Sequence, residues 1–211
     1  MKKNTIQYRE IRKSDYPALE NIIANTWKYE KFADKKTALN LARVYLASCL
    51  TNQTFTCVAL FNETPIGIIM GKNEEKHHVS IRYLWHQIIS IIKMICFKEG
   101  RKVLKIFEGY ENINKDLFST CNAKFQGEVA FFVVDTTQRG SGIGKELFNK
   151  LQAYMRSQRI DNYYLFTDSS CNFGFYDHIG LQRYAEKKLP LKAFNNKEMN
   201  FYIYGTSEQL C

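Results

Sequence analysis

The stretch Val133-Val134-Asp135-Thr136-Thr137-Gln138-Arg139-Gly140-Ser141-Gly142-Ile143-Gly144-Lys145 decides how this chain is read. It passes from an apolar, β-prone segment, through a polar turn with three closely spaced glycines, into a helical pattern. A strand that turns through glycines into a helix start presents unpaired backbone N–H groups and the positive end of a helix dipole. That arrangement binds phosphates. A Walker loop does not fit: it needs four residues between its glycines, whereas three separate Gly140 from Gly144, and Glu146 stands where a magnesium-binding hydroxyl belongs. A dinucleotide fingerprint fits poorly, because the third glycine comes one residue early and Lys145 fills its place. The pattern that is met is Gln/Arg-x-x-Gly-x-Gly/Ala, with Gln138 leading into Arg139-Gly140-x-Gly142-Ile143-Gly144.

The flanks agree with a strand–loop–helix–strand unit. Glu128-Val129-Ala130-Phe131-Phe132-Val133-Val134 reads as a mostly buried strand, rich in β-branched and aromatic residues. Ile143, Leu147, Phe148, Leu151, Tyr154 and Met155 recur at helical spacing, and Tyr163-Tyr164-Leu165-Phe166-Thr167 predicts a second strand. Asp168-Ser169-Ser170-Cys171-Asn172-Phe173-Gly174-Phe175-Tyr176-Asp177-His178-Ile179-Gly180-Leu181 follows it.

Together the loop and this last segment resemble the GNAT family of N-acetyltransferases, which bind acetyl-coenzyme A. The second segment is similar to the family's "Asn … Phe-Tyr … Gly-Phe" motif, with Leu181 in place of the final Phe. The resemblance covers about residues 127–184 strongly, 54–71 moderately and the N-terminus weakly. It implies that the amides of Gln138, Arg139, Gly140, Ser141, Gly142, Ile143, Gly144 and Lys145 hold the coenzyme pyrophosphate, with Arg139 and Lys145 adding charge. The backbones of Val133 and Val134 would meet the pantetheine amides, where this strand splays from the next. Tyr176 takes the position of a general acid for the leaving thiolate. Asn172 would cap the short helix or hydrogen-bond the pantetheine arm. Glu128 is either a base or water-holding carboxylate, or a solvated strand end.

Cys171 invites a covalent ping-pong reading, but the family transfers directly and a buried Cys is often a small apolar residue. His178 reads as a surface residue. His77-His78 beside Glu74-Glu75 suggests no metal, since adjacent strand histidines point to opposite sides and no spaced partners follow.

At 211 residues the chain suits one domain, residues 1–211, and its 45% apolar and 14% aromatic content suffices for a core. Six cysteines without a pairing pattern, and a Met1-Lys2-Lys3-Asn4 start lacking an apolar signal core, predict reduced thiols and a cytoplasmic location. The formal charge of +9 admits acidic partners, yet the cations come as scattered doublets such as Lys35-Lys36 and Lys187-Lys188. No nucleic-acid signature accompanies them, so nucleic acid is not the expected partner.

Elsewhere, residues 5–12 alternate like a strand, Ser14-Asp15 offers a helix cap before Pro17, and a helix is predicted over about Thr37 to Leu50. Thr54 to Phe61, the turn Asn62-Glu63-Thr64-Pro65 and Ile66 to Gly71 form a hairpin candidate, and Met199 to Tyr204 a last strand. Residues 72–126 are a helical insertion that the family resemblance does not cover. Ile81, Leu84, Trp85, Ile88, Ile91, Ile92 and Ile95 line one side of its first helix, and Ile106, Leu117 and Phe118 suggest a second. Arg82, His86 and Lys93 interrupt the run, so no membrane span or membrane partner is expected. The insertion is a lid or pocket wall, a homodimer element, or packing alone.

The expectation is thus an α/β (α+β) fold: one GNAT-like domain with a mostly antiparallel mixed sheet of about six or seven strands flanked by helices. The implied activity is acetyl-CoA-dependent transfer to a primary amine of a small molecule, peptide or protein, without a metal. The alternative is a non-catalytic acetyl-CoA sensor of the same fold.

Overall fold

The computed structural model describes residues 5–31, 33–96, 98–191 and 197–206. Residues 1–4, Cys211 and the side chains of Arg82, His86 and Ile106 lie outside what it describes. Seven strands form one sheet in the order β1-β2-β3-β4-β5-β7-β6: β1 Ile6–Arg9, β2 Phe55–Phe61, β3 Thr64–Asn73, β4 Gly127–Val134, β5 Tyr163–Asp168, β6 Gln182–Leu191 and β7 Lys197–Gly205. Every neighbouring pair is antiparallel except β4–β5. The helices are α1 Tyr16–Thr26, α2 Lys35–Thr51, α3 Ile81–Ile95, α4 Lys98–Ser119, α5 Ile143–Ser157 and α6 Gly174–His178.

Local chemistry explains several boundaries. Asp34 starts α2 by accepting from the N–H groups of Lys36 (2.9 Å) and Thr37 (3.1 Å). Asp15 is buried before α1, but its side chain caps no amide of that helix. Its carboxylate binds the Arg9 guanidinium through two contacts (2.7 and 2.8 Å) and the Arg12 N–H (2.7 Å), which ties β1 to the helix entry. The β2–β3 turn is tighter than the sequence suggested. Asn62 and Glu63 both adopt positive φ (48° and 67°), a two-residue hairpin loop, and Pro65 already lies in β3 opposite Leu60.

Two apolar layers cover the sheet. On one face α5 buries Ile143, Leu147, Phe148, Leu151 and Met155 against Ala59, Ile69 and Val129. On the other, α1 and α2 pack Leu19, Ile23, Leu46 and Leu50 on Val58, Ile68, Phe131 and Val133. The insertion adds α3 and α4 on the α2 side. Met94 of α3 meets Leu41 and Val44, while Leu117 of α4 packs with Phe201 and Ile203 of β7. Near its C-terminal end α4 places Phe118 against Tyr164 and Phe166 of β5 (ring centroids 4.7 and 6.2 Å apart), and Asp116 pairs with Lys187 of β6. So α4 reaches from α2 and α3 across to the C-terminal strands.

Candidate active site

The parallel pair β4–β5 is short: only Gly127↔Tyr163 and Glu128↔Tyr164 are in register. Beyond them the strands part, and each keeps hydrogen bonding only its outer neighbour, β3 or β7. The gap is one end of a cleft of ≈ 1900 Å³. Its walls include β4 and β5, the glycine loop, Asn172 and Tyr176, and, on the far side, residues of α2, α3 and α4.

Backbone alternation shows which β4 groups face this gap. The Asp135 N–H donates to the Ile66 carbonyl (2.8 Å). In an antiparallel ladder, pairs alternate between bonded and non-bonded. Val133 therefore spends its peptide groups on Ile68, while those of Phe132 and Val134 turn away from β3 and into the gap. Of the two valines singled out from the sequence, Val134 has the free backbone.

A β-bulge sits at the narrow end. Between Met70 and Lys72 β3 advances two residues while β4, from Phe131 to Glu128, advances three. Ala130 and Phe131, adjacent in sequence, both join the α1–α2 layer, and Val129 returns to the α5 layer. The added residue reverses which face Glu128 presents. Its carboxylate reaches the α2 side, where Asn52 Nδ2 donates to Glu128 Oε2 (3.2 Å). Lys72 Nζ lies 3.8 Å from that oxygen and 2.7 Å from Glu74 Oε2. Glu128 is 9% exposed, so it is no solvated strand end. Burial raises its carboxyl to about 7 against the lowering effect of Lys72 and Asn52. A carboxyl poised there takes up a proton readily at neutral pH.

The glycine loop lies at the other end of β4. Asp135 Oδ1 accepts from the Thr137 N–H (2.9 Å) and the Thr137 hydroxyl (2.8 Å), which fixes the exit from the strand. Gly140 and Gly142 have φ of 81° and 83°, the left-handed region that glycine enters without strain. Gly142 is the N-cap of α5 and offers no side-chain cap, so the first amides of the helix, at Ile143, Gly144 and Lys145, are left to a ligand. Arg139 and Lys145 are exposed beside them and line the cleft with Gln138, Gly140, Gly142 and Gly144. The Ile143 side chain is core, and the Ser141 hydroxyl turns back to the Gln138 carbonyl (2.5 Å).

Across the gap, α6 carries Tyr176. Its ring packs against Phe175 and Tyr204 (centroids 5.6 Å away in each case). Burial raises its phenol well above the ordinary value, so it stays protonated and able to donate. Asn172 has an exposed side chain that makes no cap, and it is the Asn172 carbonyl that accepts from Phe175 N–H (3.2 Å). Its amide is thus left to the cleft. Burial and Asp168 push the Cys171 thiol up to about 11, which leaves little thiolate for a nucleophilic role. His178 is exposed. His77 Nε2 lies 2.8 Å from the Thr51 carbonyl, and no group of three metal-ligating side chains occurs among the described residues.

The end of the cleft away from the glycine loop was not legible from motifs. Tyr29, Tyr45, Asn52, Lys72, Glu108, Tyr110 and Glu111 line it. They come from separate elements with no shared sequence signature.

Residues 102–180 match the sequence model of the acetyltransferase (GNAT) family. Solved structures of similar fold include an N-acetyltransferase from Staphylococcus aureus (12% identity, 96% of this chain and 98% of that one, TM-score 0.58). The ribosomal-protein alanine N-acetyltransferase of Escherichia coli is similar too (12%, 98% and 99%, 0.52). A third is the PaiA N-acetyltransferase of Thermoplasma acidophilum, solved in complex with coenzyme A (13%, 96% and 99%, 0.51). At such identities these likenesses are of fold. No curated protein matches by sequence. Residues 102–180 thus match the GNAT acetyltransferase family model, within a mostly antiparallel seven-stranded sheet flanked by helices like that of the solved N-acetyltransferases. No helix among the described residues is long and apolar enough to cross a membrane.

Proposed function

We propose that residues 1–211 form one acetyltransferase domain that moves an acetyl group directly from acetyl-CoA to a primary amine, with the 72–126 insertion as a wall of the acceptor pocket. One observation carries this reading: the β4–β5 gap joins an uncapped helix N-terminus to a buried carboxyl and a protonated phenol lining the same cleft.

The coenzyme pyrophosphate would lie on the amides of residues 140–145, with Arg139 and Lys145 beside it. The pantetheine arm would run down the gap, pairing with the peptide groups of Phe132 and Val134 and meeting Asn172. Glu128, directly or through water, takes a proton from the bound ammonium. The freed amine then attacks the thioester carbonyl carbon, the carbon–sulfur bond breaks, the Tyr176 hydroxyl gives its proton to the leaving sulfur, and the proton shed by the new amide nitrogen returns to the phenolate. No metal takes part in these steps.

Glu108, Glu111 and Glu128, among tyrosine faces, suit a cationic amine with apolar or aromatic surface. The acceptor proposed for this end is a small-molecule amine.

The test follows free thiol release from acetyl-CoA against panels of polyamines, aminoglycosides, amino acids and peptides. Acceptor-dependent release is expected for at least one class. Tight acetyl-CoA binding with no release for any amine would identify a sensor, and the absence of acetyl-CoA binding would remove the assignment of the loop.

A further inference from the structure

Among the described residues, nine large apolar side chains are exposed, and eight of them fall between Val79 and Ile95. Seven belong to α3, including Ile81 (72% exposed), Trp85 (61%) and Ile92 (56%). At roughly 100° per residue they cover an arc of about 140° along the helix. The opposite side, with Ser90 and Met94, is the buried one, and Gln87 and Ile91 line the cleft. So α3 turns its less apolar side to the protein and five of its six isoleucines to solvent. A contiguous apolar stripe of this size marks a contact surface.

Charge shows what covers it. Between Lys76 and Lys105 the chain carries seven Lys/Arg and a single carboxylate, Glu99. Lys93, Arg101 and Lys105 are exposed, and Lys93 borders the apolar arc on its helix. A second copy docking through this face would set the basic stretch against itself across the two-fold axis, a like-charge juxtaposition. An anionic lipid surface satisfies both features at once: isoleucine and tryptophan enter the headgroup boundary while lysines and arginines meet the phosphates. The cations that interrupt the run and prevent it from spanning a bilayer suit it to lie along one.

We propose that the outer face of α3 docks this protein on an anionic membrane surface, independently of the acetyl-transfer reading. Full-length protein is expected to sediment with mixed phosphatidylcholine–phosphatidylglycerol vesicles and far less with phosphatidylcholine alone, and added salt should release it. The wild-type tryptophan emission should shift to the blue on the mixed vesicles, and Trp85→Phe should remove the shift. Ile88→Glu with Ile92→Glu, both at exposed positions, should weaken vesicle binding by at least about tenfold, with circular dichroism and acetyl-CoA binding retained. Failure of the wild type to bind mixed vesicles, or equal binding by the double variant, overturns the proposal. So does a solution dimer that the double substitution dissociates, because the face would then be a self-interface.

Discussion

The strand–loop–helix from β4 to α5 and the insertion α3–α4 are both amphipathic, yet they use their apolar residues in opposite directions. In α5 every member of the Leu147, Phe148, Leu151 and Met155 stripe is buried against the sheet. In α3 the stripe faces out. Periodicity reveals that a helix has an apolar side. It does not reveal what that side meets, which depends on the surface the rest of the fold leaves open.

Five substitutions would break or sharpen the contrast. Gly142→Asp has the largest expected effect: a carboxylate at the uncapped helix start and a side chain at φ 83° should abolish measurable acetyl-CoA binding, read by calorimetry. Tyr176→Phe should reduce turnover by roughly 10-fold to 10⁴-fold while coenzyme affinity stays constant; wild-type turnover would take Tyr176 out of the mechanism. Glu128→Gln should lower turnover by about 100-fold and erase a rising limb of kcat/KM centred near the raised carboxyl value of about 7. The stability sign is opposite. The folded Glu128 holds its proton to higher pH than the unfolded one, so the wild type loses stability as pH rises from the ordinary carboxylate range through about 7, and the amide variant should not share that loss. Leu147→Ala, at a fully buried position, should cost about 3 kcal/mol in urea unfolding. Ile88→Ala, on the outward face of α3, should change stability by no more than about 0.5 kcal/mol; a loss like that of Leu147 would mean the stripe is buried in solution.

Legibility followed chemistry. The glycine loop was readable because positive φ and phosphate approach restrict those positions to few residue types. The α5 and β5 spans were readable because each buries a regular apolar pattern. In contrast β6 was not foreseen: it is an edge strand carrying Arg183, Glu186, Lys187, Lys188 and Pro190, the charged composition that protects an edge and conceals a strand. Glu128 was found as a residue but not as an environment. Whether it faces solvent or cleft depends on the bulge beside it, and an inserted residue leaves no mark on composition. The cleft wall away from the glycine loop was the least readable part, since Asn52, Lys72 and Glu111 come to line one cleft only after β3, α2 and α4 have packed.

The scarcity of β4–β5 pairing has one more consequence. The sheet is two leaves, β1–β4 and β5–β7, joined along the spine by two residue pairs. Helix α4 holds the β5–β7 leaf through Phe118, Tyr110 and Asp116 and also contacts α2, which packs on the other leaf, and so works as a clasp on the open book. A ligand lying in the gutter would add a third fastening. Amide exchange in β5–β7 should then slow on coenzyme binding even at residues far from any phosphate, because closing the volume is one cooperative event.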